Sequence, residues 1–301
     1  MPLTDKIFYN QASAAKLGWE PSWFGARGFN DILINNIKQF QRDHDLRPDG
    51  LCGPSTYSRV ATEREAHYEI SGEAQEGNFI IANGGSIPIE WERIVNLNMQ
   101  GNLALPTSCY RSVTKKRRYP TMIVTHWDAA LSANSCYKIL KKRNISSHFV
   151  IDNDGVIYQM VDTQHIAWHA GISRVNNASI GIDFSNAYYT KYQKFYEKRG
   201  FGPRPILTDS VLHGRKLGDH LGYYDVQLQA YKALVKALCS HYGIPLECPL
   251  GDDGGTKWGV DDDAASAKFK GVVSHYHLTK RKIDCAGLDI KKLLSEIENE
   301  S

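Results

Sequence analysis

Two short apolar runs, Met122-Ile123-Val124 and Val272-Val273, are each followed, after one hydroxyl residue, by a histidine: His126 and His275. Runs this short and mostly β-branched read as buried strands, so each histidine sits at a strand end where a pocket can open. Cys285 follows His275 ten residues later. Two imidazoles and one thiolate from distant parts of the chain make a three-ligand zinc set with a fourth position left for water, the open arrangement of catalytic zinc. The paired CxxC knuckles of a closed structural site are missing from the sequence.

Around these histidines the pattern is that of a layered α/β domain. Strand-like segments at 121–126, 147–153, 156–161 and 179–184 alternate with helical ones at 132–142 and 223–243, the last ended by Gly243 and Pro245. This predicts a mixed central sheet flanked by helices. Upstream, Asp31–Gln41 carries apolar residues at helical spacing, Pro48-Asp49-Gly50 marks a turn, and a further helix is expected after Gly53-Pro54 with Ser55 and Thr56 near its start. Residues 1–66 thus read as a small three-helix module, 67–112 as a connector with β segments, and 113–301 as the domain that carries the histidines. The run Lys115–Arg118, just before the first core strand, reads as a solvated strand entry.

Composition narrows the field. A hydrophobic content of 42% with 11% aromatics fills globular cores, and a net charge of +3 falls far short of a nucleic-acid footprint. No run approaches the roughly 18 apolar residues that span a bilayer. The first ten residues lack an apolar stretch and carry Asp5 and Lys6, which reads as no secretory signal and synthesis in the cytoplasm. Six cysteines without CxxC pairing suit free thiols plus one ligand.

Five motifs in order give the chain a family resemblance: Thr125-His126, Ser147 to Gly155 with His148, Ala167-Trp168-His169-Ala170-Gly171, Asn177 to Asp183, and Ser274-His275 through Cys285-Ala286-Gly287. Across roughly residues 115–295 the chain resembles zinc N-acetylmuramoyl-L-alanine amidases of the type 2 class, which include many phage endolysins and the peptidoglycan recognition proteins. The resemblance implies a zinc ion on His126, His275 and Cys285, with Asp284 as the alternative to Cys285 and His277 as the alternative to His275. It also implies Asp183 as the proton carrier, one methylene shorter than the family's glutamate. Lys282 becomes the oxyanion donor, although it stands three residues before Cys285 instead of the usual two. Trp127, His148, Trp168, His169 and Asn177 fall in motifs that line the family's substrate groove.

The N-terminal pattern, with Phe40, Gln41, Asp49 and Gly50, resembles the helical peptidoglycan-binding module of wall hydrolases. The expected activity is hydrolysis of the lactyl amide between N-acetylmuramic acid and L-alanine in peptidoglycan, by a monomer with no nucleic-acid or membrane partner. Action would follow holin-type release or injection into the wall of a Gram-negative bacterium. The rival readings are a recognition protein that binds muramyl-peptides without cutting them, and a peptidase acting within the stem peptide.

Overall fold

The computed structural model describes residues 1–44, 46–54, 56, 57, 59, 60 and 78–300. Two compact units emerge, Met1–Glu73 and Ala74–Ser301. Ser55 and the 66/67 border lie outside the described residues.

In the first unit, helix α1 (Leu3–Leu17) is closed by Gly18 in the left-handed conformation, and α2 (Asp31–Asp43) starts at Asn30, whose side chain accepts from the Leu33 N–H. Helical residues recur at 54, 56, 57, 59 and 60. Trp19, Phe24, Leu33, Ile37 and Cys52 share the core. The four residues expected to mark wall binding work inside this unit. Gln41 is buried, its amide donating to Asp49 Oδ1 (2.9 Å), the Leu51 carbonyl (3.1 Å) and Thr56 Oγ1 (3.1 Å) while accepting from the Gly50 N–H (2.8 Å). Phe40 packs edge-on against Phe24. Gly50, at φ 78°, leaves room for Ile34, whose Cγ2 would stand 2.8 Å from an added Cβ.

The second unit is built on a six-stranded sheet. Its strands in chain order are β1 (Phe79–Ala82), β2 (Gly85–Pro88), β3 (Ile94–Val95), β4 (Tyr110–Arg111), β5 (Met122–Trp127), β6 (Phe149–Ile151), β7 (Ile157–Gln159), β8 (Ile166–Ala167), β9 (Ser179–Phe184), β10 (Ile206–Leu207), β11 (Val211–Leu212), β12 (Arg215–Lys216), β13 (His220–Leu221) and β14 (Gly271–Ser274). The main sheet runs β14-β5-β9-β6-β7-β3, parallel from β14 to β6, antiparallel at β6–β7, and parallel again at β7–β3. The helices are α3 (Ala133–Arg143), α4 (Ser173–Ala178), α5 (Gln193–Lys198), α6 (Asp225–Tyr242), α7 (Asp262–Ala265) and α8 (Ile290–Asn299).

Strand alternation sorts the side chains onto two faces. Ile123, Trp127, Ile180, Ile182, Phe184 and Val272 join Tyr231, Leu234 and Leu238 of α6 and Ile290 and Leu294 of α8 in one large core. Each fully buried aliphatic side chain there contributes about 1.5–3 kcal/mol. Met122, Val124 and Val273 meet Val175 and Leu278 on the opposite face. On that second face, the next alternate position along β5 is His126, and just past the end of β14 it is His275. Residues 78–95 belong to the sheet's core, since Ile80, Ile87 and Ile94 lie in the large cluster and β3 forms the sheet edge. Among the described residues no helix is long and apolar enough to cross a membrane.

Candidate metal centre and active site

The C-terminal ends of β5 and β14 bring His126 and His275 together, and the loop after β14 returns Asp284 to them. The two Nδ1 atoms stand 3.0 Å apart, with Asp284 Oδ2 at 3.1 Å from the first and 2.9 Å from the second. All three residues are buried. Burial pushes the Asp284 carboxyl up, but its bonds to His126 and His275 outweigh that and hold it below the usual carboxylate range. His275 is lowered by burial and by the neighbouring His126.

A hydrogen-bond chain behind His126 decides which of its nitrogens faces the cluster. Ser179 Oγ donates to the Val175 carbonyl at 2.6 Å, so it accepts from His169 Nε2 at 3.1 Å. His169 Nδ1 is then an acceptor, 2.9 Å from His126 Nε2, which must carry the proton. His126 Nδ1 is left as a bare lone pair pointing at His275 and Asp284. Two imidazole nitrogens and a carboxylate oxygen converging this closely fit a divalent cation that accepts nitrogen and oxygen donors. Among the described residues this is the one group with such convergence.

Cys285 does not join it. Its side chain turns into the large core beside the Tyr223 and Tyr276 hydroxyls, and burial raises the thiol well above its ordinary range. Both residues stand in the turn that follows the strand-end loop, where the Asp284 carboxylate is directed at the histidines and the Cys285 side chain into the core. His277 is likewise engaged elsewhere: its Nδ1 accepts from the Ser274 N–H (2.9 Å), its Nε2 donates to the Lys257 carbonyl (2.7 Å), and burial lowers it to about 4.

Asp183 pairs in register with His126 across β5 and β9, which sets both side chains on one face. Burial raises its carboxyl, opposed by its neighbours His126 and Ser147. Lys282 is exposed, two residues before Asp284, and its charge is felt at His275. The spacing of two that the family resemblance implies is met when Asp284 is the third donor.

The groove residues divide. Trp168 is exposed beside His169. Trp127 projects to the other face of β5 and packs on Tyr188 at 4.8 Å, away from the cluster. His148 is spent on the fold: Nδ1 accepts from the Gly181 N–H (3.0 Å), Nε2 donates to the His165 carbonyl (3.1 Å), and burial lowers it to about 3. Asn177 is exposed and accepts from Arg111, whereas its neighbour Asn176 holds the His169 loop by accepting from the Ala170 N–H at 2.9 Å.

Sequence reasoning missed Asn176 and Arg118. Three of the four residues of the Lys115–Arg118 run face water, but Arg118 is buried and donates to the carbonyls of Thr163 (2.9 Å), Asn176 (3.0 Å), Asn177 (3.3 Å) and Ser179. Nothing in a four-residue basic run marks which member turns inward. All six cysteines are free and buried.

A family model described as N-acetylmuramoyl-L-alanine amidase matches residues 116–285, more than half of the chain. The chain belongs to this amidase family. It is therefore a hydrolase of the amide between N-acetylmuramic acid and L-alanine in peptidoglycan. No curated protein sequence matches it. Similar solved structures include a selenomethionine derivative of AmpD (20% identity, 67% of this chain and 93% of that one, TM-score 0.36). Another is AmpDh3 from Pseudomonas aeruginosa in complex with an anhydromuramic pentapeptide (21%, 65% and 66%, TM-score 0.39). A third is the N-acetylmuramoyl-L-alanine amidase LysC from Clostridium intestinale (17%, 69% and 95%, TM-score 0.37). At these scores the likenesses add no weight to the family match.

Proposed function

We propose that the amidase works with a zinc ion held by His126 Nδ1, His275 Nδ1 and Asp284, and that Asp183 carries the proton while Lys282 steadies the oxyanion. The observation that carries this reading is the convergence of three acceptor atoms within 3.1 Å of one another beside an in-register carboxylate. When bound, zinc in such a donor set supplies Lewis acidity, lowering the pKa of water and polarising the scissile carbonyl.

The protein's own groups supply the rest. Asp183 takes the proton of the attacking water and delivers it to the departing L-alanine nitrogen; its position in register with His126 sets it on the face where that water would be held. The exposed Lys282 ammonium, whose charge reaches His275, balances the negative charge that grows on the carbonyl oxygen. His169 and Ser179 hold His126 in the tautomer that leaves Nδ1 free. Trp168, exposed and next in sequence to His169, offers a ring for the muramyl group. The N-terminal unit serves as the wall-binding module, raising the local concentration of polymer at the active site. Phe40, Gln41, Asp49 and Gly50 build that unit from within, so the wall contacts fall to other side chains on its surface.

Mass analysis of digested sacculi tests the reading. The expected products are glycan with free lactyl groups and peptides with free L-alanine amino termini, and none with His126→Ala. New amino termini within the stem, with the lactyl amide intact, would make the enzyme a peptidase.

A further inference from the structure

Residues 113–117 form a loop that the amidase chemistry does not use. It borders a cleft of about 510 Å³ lined by Asn83, Lys115, Lys116, Arg117, Asp162 and His165 among others. Lys115, Lys116 and Arg117 are exposed, and none has an ion-pair partner among the described residues. Asp162 is the acid of the lining, and its charge is already engaged: the carboxylate accepts from the backbone N–H groups of Asn83 (3.0 Å), Gly84 (2.9 Å) and Gln164 (2.7 Å). The cleft therefore has a surplus of positive charge.

A short basic run is ordinarily just a solvated face, because free side chains on a loose backbone spread apart. This one is braced. Gln164 Nε2 donates to the carbonyls of Val113 (2.9 Å) and Lys116 (2.6 Å), and His165 Nδ1 accepts from the Val113 N–H (3.2 Å). At the far end Arg118 is anchored in the interior. The backbone ordering that an anion would otherwise impose on binding is already in place. His165 also leads through β8 to Trp168 and His169, so the cleft stands four residues, about 13 Å of extended chain, from the group that touches His126.

We propose that this cleft is an anion subsite that takes carboxylates of peptidoglycan peptide stems next to the one being cut. The proposal rests on the amidase reading. Peptidoglycan stems carry free carboxylates, Arg117 pairs with such a group in a planar fork, and the two lysines add point charges. The site would hold the enzyme to a dense polymer and matter little for an isolated muramyl-peptide.

The test compares full-length wild type with Lys115→Gln/Lys116→Gln/Arg117→Gln, three exposed side chains whose loss leaves the braced backbone intact. Binding to purified sacculi should fall roughly tenfold and lose part of its salt dependence, the worth of a few exposed charge contacts. Turnover of a small soluble muramoyl-L-alanine peptide should be unchanged. Wild type should bind sacculi whose carboxylates have been amidated as weakly as the variant binds native sacculi. Equal affinity and equal salt slope for the two proteins on native sacculi would overturn the proposal. So would undiminished wild-type binding to amidated sacculi, which would assign the charge to phosphate-bearing polymer. Binding is read without turnover, so a wild type unable to cut the soluble peptide would overturn the amidase reading and leave the binding result to decide the cleft.

Discussion

Asp183 shows how much one residue's neighbourhood decides. Its place in Ser179-Ile180-Gly181-Ile182-Asp183 was legible, since a strand of period two must put it on the face opposite Ile182. Its partners were not, because register against His126 depends on how two distant strands pair. If it carries the proton, Asp183→Asn should keep its zinc and lose about 10²–10⁴-fold in turnover, the usual worth of a positioned acid-base group. Metal analysis alongside steady-state rates checks this; loss of zinc would make Asp183 a support of the metal site instead. The same scale holds the misreadings. Asp284 and Cys285 are adjacent, and a three-ligand zinc set read from sequence favours the thiol, but the turn brings the carboxylate to the two histidines and leaves the thiol in the core. Trp127 and His148 sit in the right motifs and face the wrong way or are fully hydrogen-bonded.

At the scale of elements, the strands and the long helix α6 could be read closely from periodicity, and the parallel order β14-β5-β9 explains why two histidines far apart in sequence meet at one sheet end. What periodicity cannot reveal is a side chain that crosses a neighbouring strand. His169 lies over β9, and only a residue without Cβ fits beneath it: a Cβ on Gly181 would stand 2.7 Å from His169 Cγ and 2.9 Å from Ser147 Oγ. Gly181→Ala should therefore push His169 off His126 and weaken zinc binding by about 10–100-fold, the cost typical of losing an orienting partner. Competition against a chelating dye, with circular dichroism to confirm the fold, reads this directly. Unchanged affinity would mean that the His126–His169–Ser179 chain does not orient the ligand.

Across the whole molecule, the α/β class and the helical N-terminal unit follow from composition and pattern, whereas the role of residues 78–112 does not. Their strands are short and weakly patterned, yet β3 completes the main sheet and Ile80 and Ile87 enter its core, because a sheet edge takes whatever segment covers it. Residues 185–222 were equally silent: Arg204 is buried there, its guanidinium 4.5 Å from the Tyr196 ring and 4.4 Å from that of Tyr224, a contact no local pattern announces. The candidate metal group has the same long-range character, drawing His126, His275 and Asp284 from two distant parts of the chain. The zinc content of two purified variants puts that assembly to the test. Cys285→Ala should retain about one zinc per chain and most of its activity, with a modest loss of stability from the core. Asp284→Ala should lose both zinc and activity while remaining folded. Zinc retained in Asp284→Ala and lost in Cys285→Ala would contradict the account.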